Sequence, residues 1–296
     1  MMTTLDQNPP MAVASTSVNK GLLKRMLPER WYAHVVLILS IIIIGFPMFY
    51  AVLVSTQNNA QVFSYQFTPG PHFLENFDTV VNQRGLWRYM VNTVGISVIF
   101  TVAKVVFSLT AGLAFVYFRF PGKWLVFGFV LLTLMLPTDV LIISLFRLVS
   151  ADLKWGDSYL ALIIPFMASA TGTFLFRQHF MNIPAELSEA AQLDGANPWQ
   201  FMIQVLIPIS WNVIGALAVI QFVSSWNQFL WPYIIIRKPE LQMMQVGLAS
   251  LAGGSETGDS YGPMMLGTVI ASLPPLIVFI ALQKQFLSGF ALTRDK

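Results

Sequence analysis

The sequence contains no cysteine in 296 residues. That excludes disulfides, thiol nucleophiles, iron–sulfur clusters and thiolate zinc sites. Its three histidines, His34, His72 and His179, are widely spaced and form no metal-ligand motif. Charge is scarce too: 10% of the residues are Asp, Glu, Lys or Arg, against roughly 25% in a soluble domain. So few charges cannot solvate a globular surface of this size. No glycine-rich loop ends in Gly-Lys-Ser/Thr, so any ATP-driven work must be fuelled from another chain. The net charge of +3 is not gathered into a basic domain with interleaved aromatics, which argues against a nucleic-acid partner.

Apolar residues make up 55% of the chain and fall into long blocks. Several reach the roughly 20 residues that span a bilayer as helix. The short alternating segments of a membrane β-barrel are absent. The expectation is an all-α polytopic membrane protein with six transmembrane helices at about 33–55, 91–118, 124–150, 158–176, 206–235 and 263–283. The second and third meet at the polar break Arg119-Phe120-Pro121-Gly122-Lys123. The polar tail 1–30 reads as disordered, 31–284 as the membrane domain with a loop at 177–208, and 285–296 as a second tail. Pro69-Gly70-Pro71 marks a turn in the longest outer loop, and Asn82 to Tyr89 a short surface helix before the second span. A further loop at Gly253-Gly254-Ser255-Glu256-Thr257-Gly258 reads as mobile.

Lysine and arginine set the orientation. With the N-terminus inside, ten face the cytoplasm: Lys20, Lys24, Arg25, Arg30, Arg119, Lys123, Arg177, Lys284, Arg294 and Lys296. Five face the other side: Arg84, Arg88, Lys154, Arg237 and Lys238. This bias puts both termini in the cytoplasm, and with them the polar interruption from Arg177 to Pro208.

That interruption encodes a helix–turn–helix. Pro184 suits the first helical position, and Glu186 lies in the first turn, where the helix dipole favours an anion. Ala185, Leu187, Ala190, Ala191 and Leu193 continue the helix. Asp194-Gly195 ends it, Gly195 supplying a left-handed backbone angle at little cost. Asn197 then reads as an N-cap, Pro198 as the first residue of a second helix, and Gln200 as its capping-box partner. That helix runs on to Pro208 and back into the bilayer. Small residues at 190, 191 and 196 let another protein approach closely; the alternative is a plain amphipathic connector.

Glu189-Ala190-Ala191, Asp194-Gly195-Ala196, Phe201 and Leu206-Ile207-Pro208 resemble the signature loop of binding-protein-dependent ABC importer permeases of the maltose/sugar class. Phe174-Leu175-Phe176-Arg177-Gln178, Trp226-Asn227-Gln228-Phe229-Leu230-Trp231-Pro232 and Leu273-Pro274-Pro275 are closest to the sn-glycerol-3-phosphate branch. The resemblance implies the type I importer permease fold and a place in the bacterial inner membrane. It implies no catalytic residue, and an ATPase-coupling role for Glu189, Ala190, Ala191, Asp194, Gly195 and Ala196. It also implies a second non-identical permease, two ATPase subunits holding ATP and Mg, and a periplasmic solute-binding protein. This chain itself would bind no cofactor or metal.

Polar groups within the spans are candidates for the solute pathway. Lys104, Asp139 and Arg147 lie in apolar segments, where charge is costly and faces the bundle interior or a partner. The cations suit a phosphate-bearing solute, with pairing to Asp139 as the structural alternative. Asp139 and Arg147, eight apart, share a helix face at a separation of about 12 Å. Gln221, Ser225, Trp226, Asn227 and Gln228 could hydrogen-bond or stack on a polyol. Open alternatives are another sugar or a glycerophosphodiester as cargo, or a secondary transporter independent of ATP.

Overall fold

The computed structural model describes residues 31–254 and 261–291. The expected tail over 1–30, the last residues from 292 and most of the Gly253–Gly258 loop lie outside them. The chain divides into two units, Met1–Tyr50 and Ala51–Lys296. Helix α1 (Trp31–Val54), whose residues through Tyr50 belong to the first, carries apolar side chains all round, exposed on every face through Phe49. A segment of that kind belongs in lipid.

The second unit's regular elements are all helical among its described residues. Among the described residues three helices are long and apolar enough to cross a membrane, and up to six spans result if each bent pair counts as one. The loop after α1 holds α2 (Asn59–Phe63) and α3 (Phe73–Asp78), extended by a π-helical turn Thr79–Gln83. It is more ordered than its turn residues suggested. Gln57, 1% exposed, donates to the carbonyls of Gln66 and Thr68 at 2.7 and 2.8 Å. Buried Asn76 donates to those of Ser55 and Gln57 at 2.8 and 3.0 Å.

Helix α4 (Leu86–Tyr117) begins five residues before the expected second span. The expected surface helix over 82–89 is divided: Gly85, at φ +66°, separates the π turn from α4. The third span is broken into α5 (Lys123–Met135) and α6 (Thr138–Phe146), the latter continued by a π turn Arg147–Asp152. Pro137 explains the break, because it lacks an N–H and drives Leu136 to extended angles (φ −84°, ψ 118°). The fourth bends by 40° between α7 (Tyr159–Ile163, continued by the 3-10 turn Ile164–Phe166) and α8 (Ala170–Met181). Ser169 restarts α8 by accepting from Gly172 N–H at 3.1 Å.

After α9 (Ala185–Leu193) come α10 (Pro198–Phe201), a π turn Met202–Leu206 and α11 (Ile207–Ile209). The chain then swings 82° into α12 (Trp211–Trp226). The expected fifth span, 206–235, is bent at Ser210, which leaves helical angles (φ −90°, ψ 8°), and is corrected at its end, where α12 stops at Asn227. Residues 230–235 form a separate helix, α13 (Leu230–Ile235). Pro232 has no N–H to continue the ladder from Gln228. Helix α14 (Met244–Gly254) precedes α15 (Tyr261–Ala291), which makes residues 285–291 helical where a tail was expected.

Helices α12, α15, α4 and α8 pack together as the centre of the bundle. Glycine allows the closest approaches: a Cβ on Gly172 would strike the Ser108 hydroxyl, and one on Gly289 would meet the Asn212 carbonyl and Ala216. Three buried apolar clusters result. One joins Leu109, Leu113, Phe176, Phe180, Phe201, Leu206 and Leu217. The second includes Leu86, Phe222, Trp226 and Ala271, and the third Ile96, Val149, Ala161 and Trp231.

Candidate functional site: the turn at 193–197 and the polar positions in the bundle

The helix–turn–helix forms as its sequence dictates, with one offset. Pro184 is the N-cap (ψ 134°) and Ala185 the first helical residue, not Pro184 itself. Glu186 lies in the first turn. Asp194 caps the C-terminus and Gly195 turns the chain at φ +74°. Gly195 N–H donates to Gln192 O at 3.0 Å and Ala196 N–H to Ala191 O at 2.9 Å. Together these two bonds make a Schellman ending, which satisfies carbonyls the helix leaves open. Asn197 Oδ1 then accepts from Gln200 N–H at 2.9 Å while Gln200 Oε1 accepts from Asn197 N–H at 2.8 Å. This is the expected capping box, with Pro198 at the first position.

Phe201 anchors the motif to the bundle. It is 7% exposed and meets Tyr117 edge-on at 5.0 Å. The helix itself has no buried residue. Leu193 is 89% exposed and Trp199 61%, unusual for large apolar groups on a polar loop. Glu189, Ala190, Asp194 and Gly195 are exposed, with Ala191 and Ala196 half-buried behind them. All six sequence-nominated coupling residues thus belong to one short stretch. A concavity of about 360 Å³ is lined by Ala190, Ala191, Asp194, Gly195, Ala196 and Gln204, among others. Another of about 270 Å³ lies between Ala191, Ala196, Phe201 and Tyr117. The arrangement can seat a protein surface; it holds no group positioned for covalent chemistry.

The pathway candidates are scattered by comparison. Lys104, half-buried in the middle of α4, places Nζ 4.3 Å from the centre of the Phe100 ring. Arg147 is exposed at the start of its π turn. The side chain of Asp139 lies outside the described residues. Among those residues the ion pair present is His72–Glu75, at 2.9 Å, so neither Lys104 nor Arg147 has an ionic partner there. Gln221 is 5% exposed and donates to Ser169 Oγ at 3.2 Å. Ser225 is buried, and its Oγ has no hydrogen-bond partner among the described residues. Trp226 is buried at the end of α12, whereas Asn227 is exposed and Gln228 half-buried in the break that follows. Trp226 and Asn227 line a cleft of about 350 Å³ with Gln245, Thr268, Ala271 and Ser272.

Sequence reasoning missed Phe100, Phe166 and the carbonyls of Ala161 and Ala271, all of which contact candidate residues. It also counted Arg177 only as a topological charge. Arg177 is 7% exposed, its guanidinium 4.3 Å from the Phe127 ring and 5.1 Å from that of Trp124. The four-residue spacings Ala161–Pro165 and Ala271–Pro275 were the signal for the carbonyls.

Apolar helices long enough to cross a membrane, with an exposed, tightly capped helix–turn–helix between two of them, define a polytopic membrane protein. Residues 104–290 match the family of the binding-protein-dependent transport system inner membrane component, and the chain belongs to that family. It is 38% identical over 266 residues to the sn-glycerol-3-phosphate transport system permease protein UgpE of Salmonella choleraesuis (strain SC-B67), covering 87% of this chain and 94% of the relative. Identity to UgpE of Escherichia coli O1:K1 / APEC is 36% over the same length. Among solved structures, a bacterial ABC transporter involved in import of the acidic polysaccharide alginate matches with a TM-score of 0.73 at 22% identity. That match covers 94% of this chain and 100% of the other. At that identity the likeness bears on the fold, and it agrees with the expected importer permease architecture.

Proposed function

We propose that this chain is one of two non-identical permeases in an ATP-driven importer that carries sn-glycerol 3-phosphate across a bacterial inner membrane. The 36–38% identity to UgpE along most of both chains is the observation that carries the cargo assignment. Both termini and the 184–208 motif face the cytoplasm, as the ten-to-five distribution of lysine and arginine supports. Two ATPase subunits bind ATP and Mg and hydrolyse the nucleotide. A periplasmic binding protein delivers the solute to the outer face.

The mechanism divides the labour. Closure of the ATPase pair pulls on the exposed stretch Glu189–Ala196, and the capped turn transmits that motion as a unit. Glu189 supplies a free carboxylate for a basic or hydrogen-bonding group of the ATPase, and Leu193 an apolar knob. Small side chains at 190, 191 and 196 admit close contact. Phe201 passes the displacement to Tyr117 and the end of α4. Within the bundle Lys104 and Arg147 supply positive charge toward the phosphate. Gln221, Ser225, Asn227 and Gln228 offer hydrogen bonds to the glycerol hydroxyls. No residue performs covalent chemistry.

The test is reconstitution of the complete complex with its binding protein in liposomes. Uptake of glycerol 3-phosphate is expected to require ATP and to exceed that of glycerophosphodiesters and maltodextrins. Preference for either rival would reassign the cargo, and uptake without ATP would remove the importer mechanism altogether.

A further inference from the structure

Two tryptophans bracket the break between α12 and α13, and each donates its indole N–H to a distant main-chain carbonyl. Trp226 Nε1 donates to Ala271 O at 3.1 Å, and Trp231 Nε1 to Ala161 O at 3.0 Å. In an α-helix the carbonyl of residue i takes the N–H of residue i+4. The residue four beyond Ala271 is Pro275, and the residue four beyond Ala161 is Pro165. Neither proline has an N–H. Both indoles therefore fill vacancies that a proline created in another helix.

Burial makes the substitution consequential. The tryptophans are 1% and 3% exposed, and Ala271 and Ala161 are 5% and 0% exposed. Neither lipid nor a packed core offers these carbonyls a replacement donor. The rings are held as well. Trp226 stacks on Phe222 with centres 5.9 Å apart, and Trp231 meets Phe166 edge-on at 5.6 Å. Phe166 adjoins Pro165 and also touches Phe100, the ring beneath the Lys104 ammonium. The two indoles belong to different apolar clusters, so the break is tied into both.

We propose that Trp226 and Trp231 are paired positioning residues for solute passage, holding the Asn227–Gln228–Phe229 break between two proline-interrupted helices. The two acceptors lie on separate elements, in α7 and α15. Any movement of one against the other must stretch an indole bond or carry the break along. Asn227 and Gln228 consequently follow the helices and not their own loop. The role in passage rests on the transport reading above; the hydrogen-bond pairing does not.

A double-mutant cycle tests it on the complete complex, with melting temperature and ATP-driven uptake as readouts. Trp226→Phe and Trp231→Phe keep an aromatic ring but remove the donor. Each is expected to lower the melting temperature and slow uptake roughly tenfold, as one lost buried hydrogen bond would. Pro275→Ala returns a helical N–H to the Ala271 carbonyl. It should restore Trp226→Phe substantially but leave Trp231→Phe impaired. Pro165→Ala should show the reverse specificity. If a Phe variant cannot be recovered, its matching double variant should be, and failure of both overturns the proposal. Rescue without pair specificity, or Phe variants that melt and transport like the parent, would overturn it too. An unsubstituted complex that moves no solute would sink the transport reading alone, because the melting cycle still reports on the pairing.

Discussion

The turn at 193–197 and the break at 227–229 both interrupt helices, yet they are held in opposite ways. The turn is closed by bonds between residues three to five apart and stands exposed. The break is fixed by indole bonds spanning 45 and 70 residues, between buried groups. A locally closed motif keeps its shape when a partner pulls it, because its geometry does not depend on the bundle. A break bonded to two other helices moves only as they do. In the proposed importer the first serves as a handle and the second as a hinge.

The largest expected effect strikes the handle. Gly195→Pro removes the N–H that closes on Gln192 and forbids φ +74°. The pyrrolidine ring holds φ at about −65°, so the turn must open. Coupled uptake should fall by an order of magnitude or more, with the melting temperature of the bundle nearly unchanged, since no residue of α9 is buried. A large drop in melting temperature would erase the distinction between handle and hinge.

Next is Lys104→Met, which keeps a long apolar stem but removes the charge above Phe100. Uptake of phosphorylated solute should fall roughly tenfold, about the weight of one charge-assisted contact, with a smaller effect on a neutral glycerol analogue. Equal losses for both would return Lys104 to a purely structural role. Asn197→Ala removes the capping-box acceptor, worth about 1 kcal/mol. Hydrogen exchange at the Gln200 amide should quicken roughly fivefold, while exchange of the Trp226 and Trp231 indoles stays constant.

The smallest effect concerns acid. Asp157 accepts from the backbone N–H groups of Arg237 and, at 3.0 Å, Lys238, just beyond α13. The Arg237 bond chiefly holds its carboxyl below the usual range, helped by that of Lys238 and by the two nearby positive charges. Because the folded pKa is depressed, the stabilisation is present above the unfolded value and is lost as pH falls through the folded one. Protection of the 236–238 amides should therefore decline only below about pH 4. Asp157→Asn should weaken that protection at neutral pH and flatten its acid response.

The same contrast accounts for what could be read from sequence. Gly195, Asn197, Pro198 and Gln200 act on neighbours within five residues, so their spacing specified the handle before any tertiary contact was known. Pro137 itself marked the break in the third span. The bend at Ser210 was missed, because hydropathy records that a segment is apolar and not that its ladder is interrupted. Trp226 and Trp231 were legible as aromatic residues of one motif. Their partners were not, since an indole's acceptor depends on which helices pack beside it. Pro165 and Pro275 marked freed carbonyls, but only the fold brings each tryptophan to its own.

In the proposed importer, ATP-driven motion enters through the capped turn. The most direct measurement is the number of solute molecules imported per ATP hydrolysed by the reconstituted complex carrying Gly195→Pro. The claim predicts a collapsed ratio, with loaded binding protein no longer stimulating hydrolysis while the bundle melts as before. An unchanged ratio at the unsubstituted rate of uptake would contradict it.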